Sequence, residues 1–245
     1  MAVEIRFERI QQVRAHEYVA EQIRRHIALR LIQPGESLPS ERDLATMFGV
    51  GRPTIQHALR RLEADNLVEA RRGRHGGTFV SEPAGDEQAL DELIARLRRQ
   101  RQDLEELIVY RGIIEPAVSR LAAMARRKPD LAAMHSALDR MAEADSESDY
   151  MGHDTEFHLA IARGSRNRFA ARQIEEIRMR LNDAMTLLPE SEAWHDRIDR
   201  EHADIAAAIE AGDGEGAHHA MDIHVANSEQ GLRALLNAIR RRSLP

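Results

Sequence analysis

The chain has 245 residues, 42% hydrophobic and 31% charged, with 14 Gly, 8 Pro and no Cys, which suits two folded domains of ordinary size and excludes a disordered or disulfide-framed protein. No stretch approaches the roughly 18 uncharged apolar residues of a membrane span, and Glu4, Arg6, Glu8 and Arg9 stand where a signal peptide would be apolar, so the chain reads as cytoplasmic with no membrane partner. Its net charge of −6 hides a division: residues 1–83 hold 13 Arg and no Lys against 11 Asp and Glu, a net of +2, which leaves −8 for the remainder.

Apolar residues recur at helical spacing from His16 to Leu31 (Val19, Ile23, Ile27, Leu31), and Gln33, Pro34 and Gly35 end the run. A second, short helix opens after Ser40, a natural N-cap, with Glu41 and Asp43 placing negative charge on its positive end; it closes near Phe48 and Gly49. A third runs from about Arg52 to Ala64, with Pro53 in the first turn and Ile55, Leu59 and Leu62 on its inner face. Two short helices joined by a Gly-containing turn make a helix-turn-helix. The period then becomes β-like: residues 67–70 and 78–80 flank Arg71, Arg72, Gly73, Arg74, His75, Gly76 and Gly77, a hairpin with a basic, glycine-rich tip. Residues 82–85 read as a linker. Beyond them the chain is helical, with six or seven helices punctuated at 128–129, 164–165, 189–190 and 212–214. The expected fold is mainly α, a winged helix-turn-helix over 1–83 followed by an all-α helical bundle over 84–245.

The run LPSERDLATMFGVGRPTIQHALRRLEADNLV and the wing RRGRHGGTFV resemble the GntR superfamily of transcription regulators. Arg52 and Thr54 then lie in the first turn of the recognition helix, where an arginine can bond guanine O6 and N7 together. The resemblance brings Arg42 toward the duplex from the preceding helix and Ser40 toward phosphate. Gln56 can pair with adenine N6 and N7, and His75 and Gly76 at the wing tip would reach the minor groove. Arg42 and Gln56 are also compatible with solvated positions, and Arg71, Arg72 and Arg74 with unspecific phosphate attraction, so Arg52 and Arg42 rank above the rest. Gly51 and Gln56 depart from the commoner family residues, Ser or Thr and Arg respectively, which leaves the operator sequence open.

In the second half Asp154 and His158 are i and i+4 on one helix and share a face. Two later histidines, His202 and His224, lie on helices by their apolar spacing. Without cysteine, a metal has only His and carboxylate ligands available. The half resembles the FCD effector-binding domain of the FadR subfamily, in which an Asp-x-x-x-His pair and two later histidines bind a metal; DTEFHLAIA and EHADIAAAIEAGD fit that pattern. Three imidazoles and a carboxylate suit Zn²⁺, with Ni²⁺ and Mn²⁺ as alternatives, and leave one or two positions for water or a ligand carboxylate. Arg111 matches the arginine that faces the effector pocket in the family, and its fork suits a carboxylate; it could equally pair with Glu115 on a solvated helix. His153, His195, His218 and His219 fall outside the pattern, although His195, beside Trp194, could line a pocket.

These features imply a homodimeric repressor, not an enzyme, that binds double-stranded operator DNA and releases it when a small carboxylate effector reaches the metal. Two rivals stay open: a metal-dependent enzyme acting on a small organic acid, and a regulator whose metal is purely structural.

Overall fold

The computed structural model describes residues 14–73, 76–81, 87–188 and 192–241. The chain divides into two compact units, one of residues 1–25 and 35–81, the other of residues 26–34 and 82–245. The segment 26–34 therefore groups with the helical unit, whereas the sequence reading placed it with the first domain.

Helix α1 (Ala15–Ala28), whose residues 26–28 group with the helical unit, buries Val19, Ala20 and Ile23. It stops three residues before the expected Leu31. Arg30 takes a left-handed φ of 57°, and Leu31 N–H donates back to the His26 carbonyl at 3.0 Å. That is a helix-terminating bond of the kind glycine usually supports, here held by an arginine. The compensation is apolar: Leu29 is fully buried in the core of the helical unit and Leu31 packs against it. Next, α2 (Glu41–Phe48) is capped by Ser40, whose Oγ accepts from Asp43 N–H at 3.3 Å, and is closed by Gly49 at φ 64°. Helix α3 (Arg52–Ala64) starts from an extended Gly51 and buries Ile55, Ala58, Leu59 and Leu62. Strands β1 (Val68–Arg71) and β2 (Gly77–Val80) pair antiparallel, Val68 against Val80 and Arg71 against Gly77. This is the winged helix-turn-helix expected from the sequence. A Cβ at Gly76 would stand 2.6 Å from the Arg71 carbonyl oxygen, so the hairpin needs glycine there.

The second unit contains α4 (Glu87–Arg99), α5 (Arg101–Ala125), α6 (Lys128–Ala142), α7 (Glu147–Gly164), α8 (Arg168–Met185), α9 (Glu192–Ala211) and α10 (Gly214–Arg241). Three of its breaks fall where proline or glycine announced them, at 128–129, 164–165 and 212–214; the break expected at 189–190 and the linker expected at 82–85 lie outside the described residues. The breaks at Gln100 and after Ala142 carry neither; the second is set by Ser146, which caps α7 by accepting from Asp149 N–H at 3.2 Å. Helix α5 packs along α10, α6 along α7, and α9 along α10. Helix α4 buries Ile94 and Leu97.

Helix α7 is the element that positions the site. Tyr150, Met151, Asp154, Thr155, Phe157, His158, Leu159 and Ile161 are all buried, so it is enclosed on every side rather than along one stripe. A polar residue on such a helix must find its partners inside the protein.

Candidate metal centre and nucleic-acid interface

Asp154 and His158 leave α7 one turn apart, His202 comes from α9 and His224 from α10. The structure brings all four together. Each of the three histidines offers a nitrogen within 4.8 Å of the others'. Asp154 Oδ1 stands 3.3 Å from His202 Nε2 and 3.7 Å from His158 Nε2. His158 is 2% exposed, His202 0% and His224 3%. His158 Nε2 and both nitrogens of His202 have no hydrogen-bond partner. Buried imidazole nitrogens without partners are costly unless something binds them, and three imidazole nitrogens with one carboxylate oxygen are a donor set that suits a divalent transition metal.

Two buried carboxylates support the imidazoles from behind. Glu115 Oε2 lies 3.0 Å from His158 Nδ1, at ion-pair distance but not aligned as a hydrogen bond, and Glu201 Oε2 is hydrogen-bonded to His224 Nδ1 at 3.0 Å. A carboxylate at Nδ1 holds that proton in place and leaves Nε2 free to act as a ligand atom. Asn227 Nδ2 donates to the other oxygen of Glu201 at 2.6 Å. Sequence reasoning assigned neither glutamate this role. Glu115 was visible only as the i+4 neighbour of Arg111, and Glu201 only as the residue before His202.

Charge in this core is tightly matched. Burial pushes the Asp154 and Glu115 carboxyls up, but the cationic neighbours taken together, Arg178 at Asp154 and Arg111 at Glu115 with His158 beside both, hold each well below the ordinary range. Burial, with His224 and His158 as like-charged neighbours, pushes His202 and His224 far down, so both are neutral and ready to bind. His158 goes the other way: burial lowers it, and Glu115 and Asp154 raise it by more.

Arg111 and Glu115 form the ion pair considered from sequence, at 2.9 Å, yet they are 1% and 2% exposed, so the pair is interior rather than solvated. Arg111 Nη1 also donates to Ser228 Oγ at 2.8 Å, and its Nη2 is buried without a partner. A second guanidinium, Arg178 of α8, was missed entirely. Its Nη2 donates to Asp154 and, at 3.1 Å, to Thr155 Oγ1, while its Nε has no partner. Asn182 continues the chain, donating to Thr155 Oγ1 at 3.1 Å and to the Ala28 carbonyl at 3.1 Å. Arg111, Arg178, Tyr150, His224 and Ser228 line a cavity of about 30 Å³, closed on its apolar side by Met185, Leu188, Trp194 and Ile198. That is room for about one water molecule. His195 meets Tyr150 and Trp194 edge-on at the margin of this cavity and does not line it.

On the other unit, the residues predicted to read DNA are mostly exposed. Arg42 has 82% of its side chain in solvent and Arg52 65%. Thr54 is half-buried and Gln56 exposed on the same helix. Glu41, unassigned from sequence, gathers two of them: Gln56 Nε2 donates to its Oε2 at 2.9 Å and Arg52 Nη2 lies 3.4 Å from the same atom. Ser40 Oγ is engaged with Asp43, as donor to its carboxylate at 2.6 Å and acceptor from its N–H. Gly76 closes the wing turn by donating to the Gly73 carbonyl at 2.9 Å; His75 lies outside the described residues. Arg71 stacks on Phe79 at 4.4 Å, which leaves it less available to phosphate.

Comparison with known proteins agrees with both halves. Residues 15–80 match the gntR family of bacterial regulatory proteins and residues 106–227 match the FCD domain. The chain is 33% identical over 208 residues to the HTH-type transcriptional regulator LutR of Bacillus subtilis, covering 82% of this chain and 93% of that protein. It is 30% identical over 232 residues to the Uxu operon transcriptional regulator of Escherichia coli, covering 91% and 89%. Among solved structures, a protein described as a transcriptional regulator GntR from Rhodococcus sp. RHA1 shares the fold, with TM-score 0.50 and 21% identity over 89% of this chain and 97% of that one.

Proposed function

Because this chain belongs to the gntR family of bacterial DNA-binding transcription regulators, in the branch carrying an FCD domain, and is not an enzyme, we propose that it is a repressor relieved by a small carboxylate bound beside a metal. In this reading residues 1–83 hold two-fold operator DNA as half of a homodimer, through Arg52 and Arg42 first, with Ser40, Thr54, Gln56, His75 and Gly76 in support. Residues 84–245 hold the metal through Asp154, His158, His202 and His224, and Zn²⁺ is the default. Such an ion supplies Lewis acidity to a carboxylate oxygen. Arg111 and Arg178 supply the guanidinium donors that fix the rest of the anion, and the buried setting raises the worth of each of those bonds. The protein acts in the cytoplasm, where its operator lies; among the described residues no helix is long and apolar enough to cross a membrane.

The observation that carries this reading is the set of buried, partnerless nitrogens of His158 and His202 next to partnerless guanidinium nitrogens of Arg111 and Arg178. A metal and an anion satisfy both sets at once. A second reading, in which the metal is purely structural, is favoured by the size of the cavity, too small for an organic acid unless Met185, Leu188 or Trp194 gives way. A thermal-shift screen of zinc-loaded protein against sugar acids, hydroxy acids and dicarboxylates, repeated on His158→Ala, separates the two. A ligand at 100 times its Kd adds about 2.7 kcal/mol of stability. Stabilisation by one acid class, absent in the variant, supports the sensor; no response to any acid, with stability still dependent on zinc, supports the structural metal.

A further inference from the structure

Helix α5 carries an apolar stripe that nothing among the described residues covers. Val109, Ile113, Leu121 and Met124 are 52%, 64%, 39% and 70% exposed, and Ala117, also exposed, lies between them. Four of the five recur every fourth residue and Met124 follows by three, so they form one ridge along a 25-residue helix. The opposite face of the same helix is fully committed, with Leu104, Ile108, Arg111, Glu115, Val118 and Ala122 buried. Isolated exposed apolar residues are ordinary, but an aligned row of this length marks a contact surface.

The distribution of side chains about Ala117 says what covers it. We propose that the α5 ridge is where two copies of this chain meet, helix against helix, antiparallel about a two-fold axis at Ala117. Ile113 and Leu121 are equidistant from Ala117, so each faces the other's counterpart across the axis, and Tyr110 falls opposite Met124. The smallest residue sits where the two backbones cross, which permits close approach. The ridge is also polarised: exposed Gln102, Asp103 and Glu106 lie at its start, and exposed Arg127 and Lys128 just past its end. Antiparallel pairing carries the acidic start of each α5, Glu106 included, toward the partner's Arg127 and Lys128, the residues that follow the end of α5. Parallel pairing would place like charges together at both ends, and a foreign partner would have no reason to match this internal symmetry. Self-complementarity of one patch is what an isologous dimer requires. The opposed helix dipoles of the antiparallel arrangement add to it.

This inference rests on the homodimer in the reading above and is independent of the metal. The test is the dimer dissociation constant of full-length protein by sedimentation, for wild type, Ile113→Asp, Glu106→Lys, Lys128→Glu and the double Glu106→Lys/Lys128→Glu variant. Ile113→Asp buries two carboxylates on the axis flanks and should weaken dimerisation by about 100-fold or more. Each single charge reversal sets like charges together twice per dimer and should weaken it about tenfold, while the double variant restores it. Far-ultraviolet circular dichroism checks folding, and the charge variants do not touch the apolar ridge, so they remain informative if Ile113→Asp misfolds. A dimer indifferent to all four variants places the interface elsewhere and overturns this proposal while leaving the homodimer intact. A monomeric wild type overturns both. If the charge reversals are additive rather than compensating in the double variant, the antiparallel register is wrong.

Discussion

Replacing Glu115 by glutamine keeps the shape of the side chain and removes the charge that joins Arg111 to His158. Arg111 Nε donates to Glu115 Oε1 at 2.9 Å and His158 Nδ1 stands 3.0 Å from Oε2, with both glutamate and arginine at most 2% exposed, so water cannot take the place of either contact. Two losses follow, and they have different sizes. Removing one partner of a buried pair costs about 3–5 kcal/mol, and an amide oxygen still able to accept from Arg111 places Glu115→Gln near the lower end. Losing the carboxylate behind His158 costs about 10–100-fold in metal affinity. The double variant Arg111→Met/Glu115→Leu separates them: apolar residues of similar volume restore most of the stability, about 1–4 kcal/mol in comparable replacements, yet His158 still lacks its acceptor and metal affinity stays low. Urea unfolding in the presence of chelator reads the first effect; competition for Zn²⁺ against a coloured chelator reads the second. If Glu115→Gln binds zinc as tightly as wild type, Glu115 is a structural counter-ion to Arg111 and the assignment of His158 Nε2 as ligand atom loses its support.

The metal-free protein should be most stable near pH 6.5. His202 and His224 are held below their ordinary value of 6.5, so the stability they contribute is lost as pH falls below that point, by up to about 2.7 kcal/mol per pH unit for two protons taken up on unfolding. His158 is held above it, so its contribution is complete below pH 6.5 and is lost as pH rises, with half that slope. Denaturant midpoints from pH 5 to 8 with chelator present check this, and a curve that rises without a maximum would refute it. Trp194 is the sole tryptophan and lines the cavity, so an effector that enters must shift its fluorescence; binding detected by calorimetry with an unchanged emission spectrum would place the ligand elsewhere. Arg52→Ala should weaken binding to a selected operator by about 1–3 kcal/mol and relax preference at one base pair, whereas Glu41→Gln, which frees Arg52 and Gln56 from their shared carboxylate, should tighten binding to unrelated DNA. Fluorescence anisotropy on specific and scrambled duplexes measures both.

What was legible in the sequence was local. Ser40, Gly49, Pro53 and Gly76 act through backbone geometry within a few residues, so the helix-turn-helix and its wing follow from composition and spacing. Asp154 and His158 belong to the same class, since i and i+4 on any helix share a face. Glu115, Glu201 and Arg178 do not. Each acts across helices: Glu115 of α5 reaches His158 of α7, Glu201 of α9 reaches His224 of α10, and Arg178 of α8 reaches Asp154. No periodicity encodes which faces of separate helices meet. The end of α1 was misjudged for a related reason. The apolar rhythm continues through Leu31, but Leu29 is drawn into the helical unit's core, and that burial outweighs the cost of a left-handed arginine.

The buried polar network is better explained by ligand binding than by folding. Two arginines, two glutamates, an aspartate and three histidines occupy space that apolar side chains would fill with no loss of stability, because desolvating charges offsets most of what their pairing returns. In the proposed reading such a network supplies instead a set of donors fixed in advance and a chain of hydrogen bonds leading away from them. Asp154 is held by Arg178, Arg178 and Asn182 share Thr155 Oγ1, and Asn182 ends on the carbonyl of Ala28, the last residue of α1. A ligand that competes for Asp154 or for Arg178 alters the first link, and only the difference in its affinity for the two arrangements of that chain is available to shift the protein between them. Thr155→Val removes the shared hydroxyl at nearly constant volume without touching metal or cavity. It should therefore leave zinc affinity intact and reduce the effect of effector on DNA affinity, and an unchanged effector response in that variant would mean that the signal leaves the site by another path.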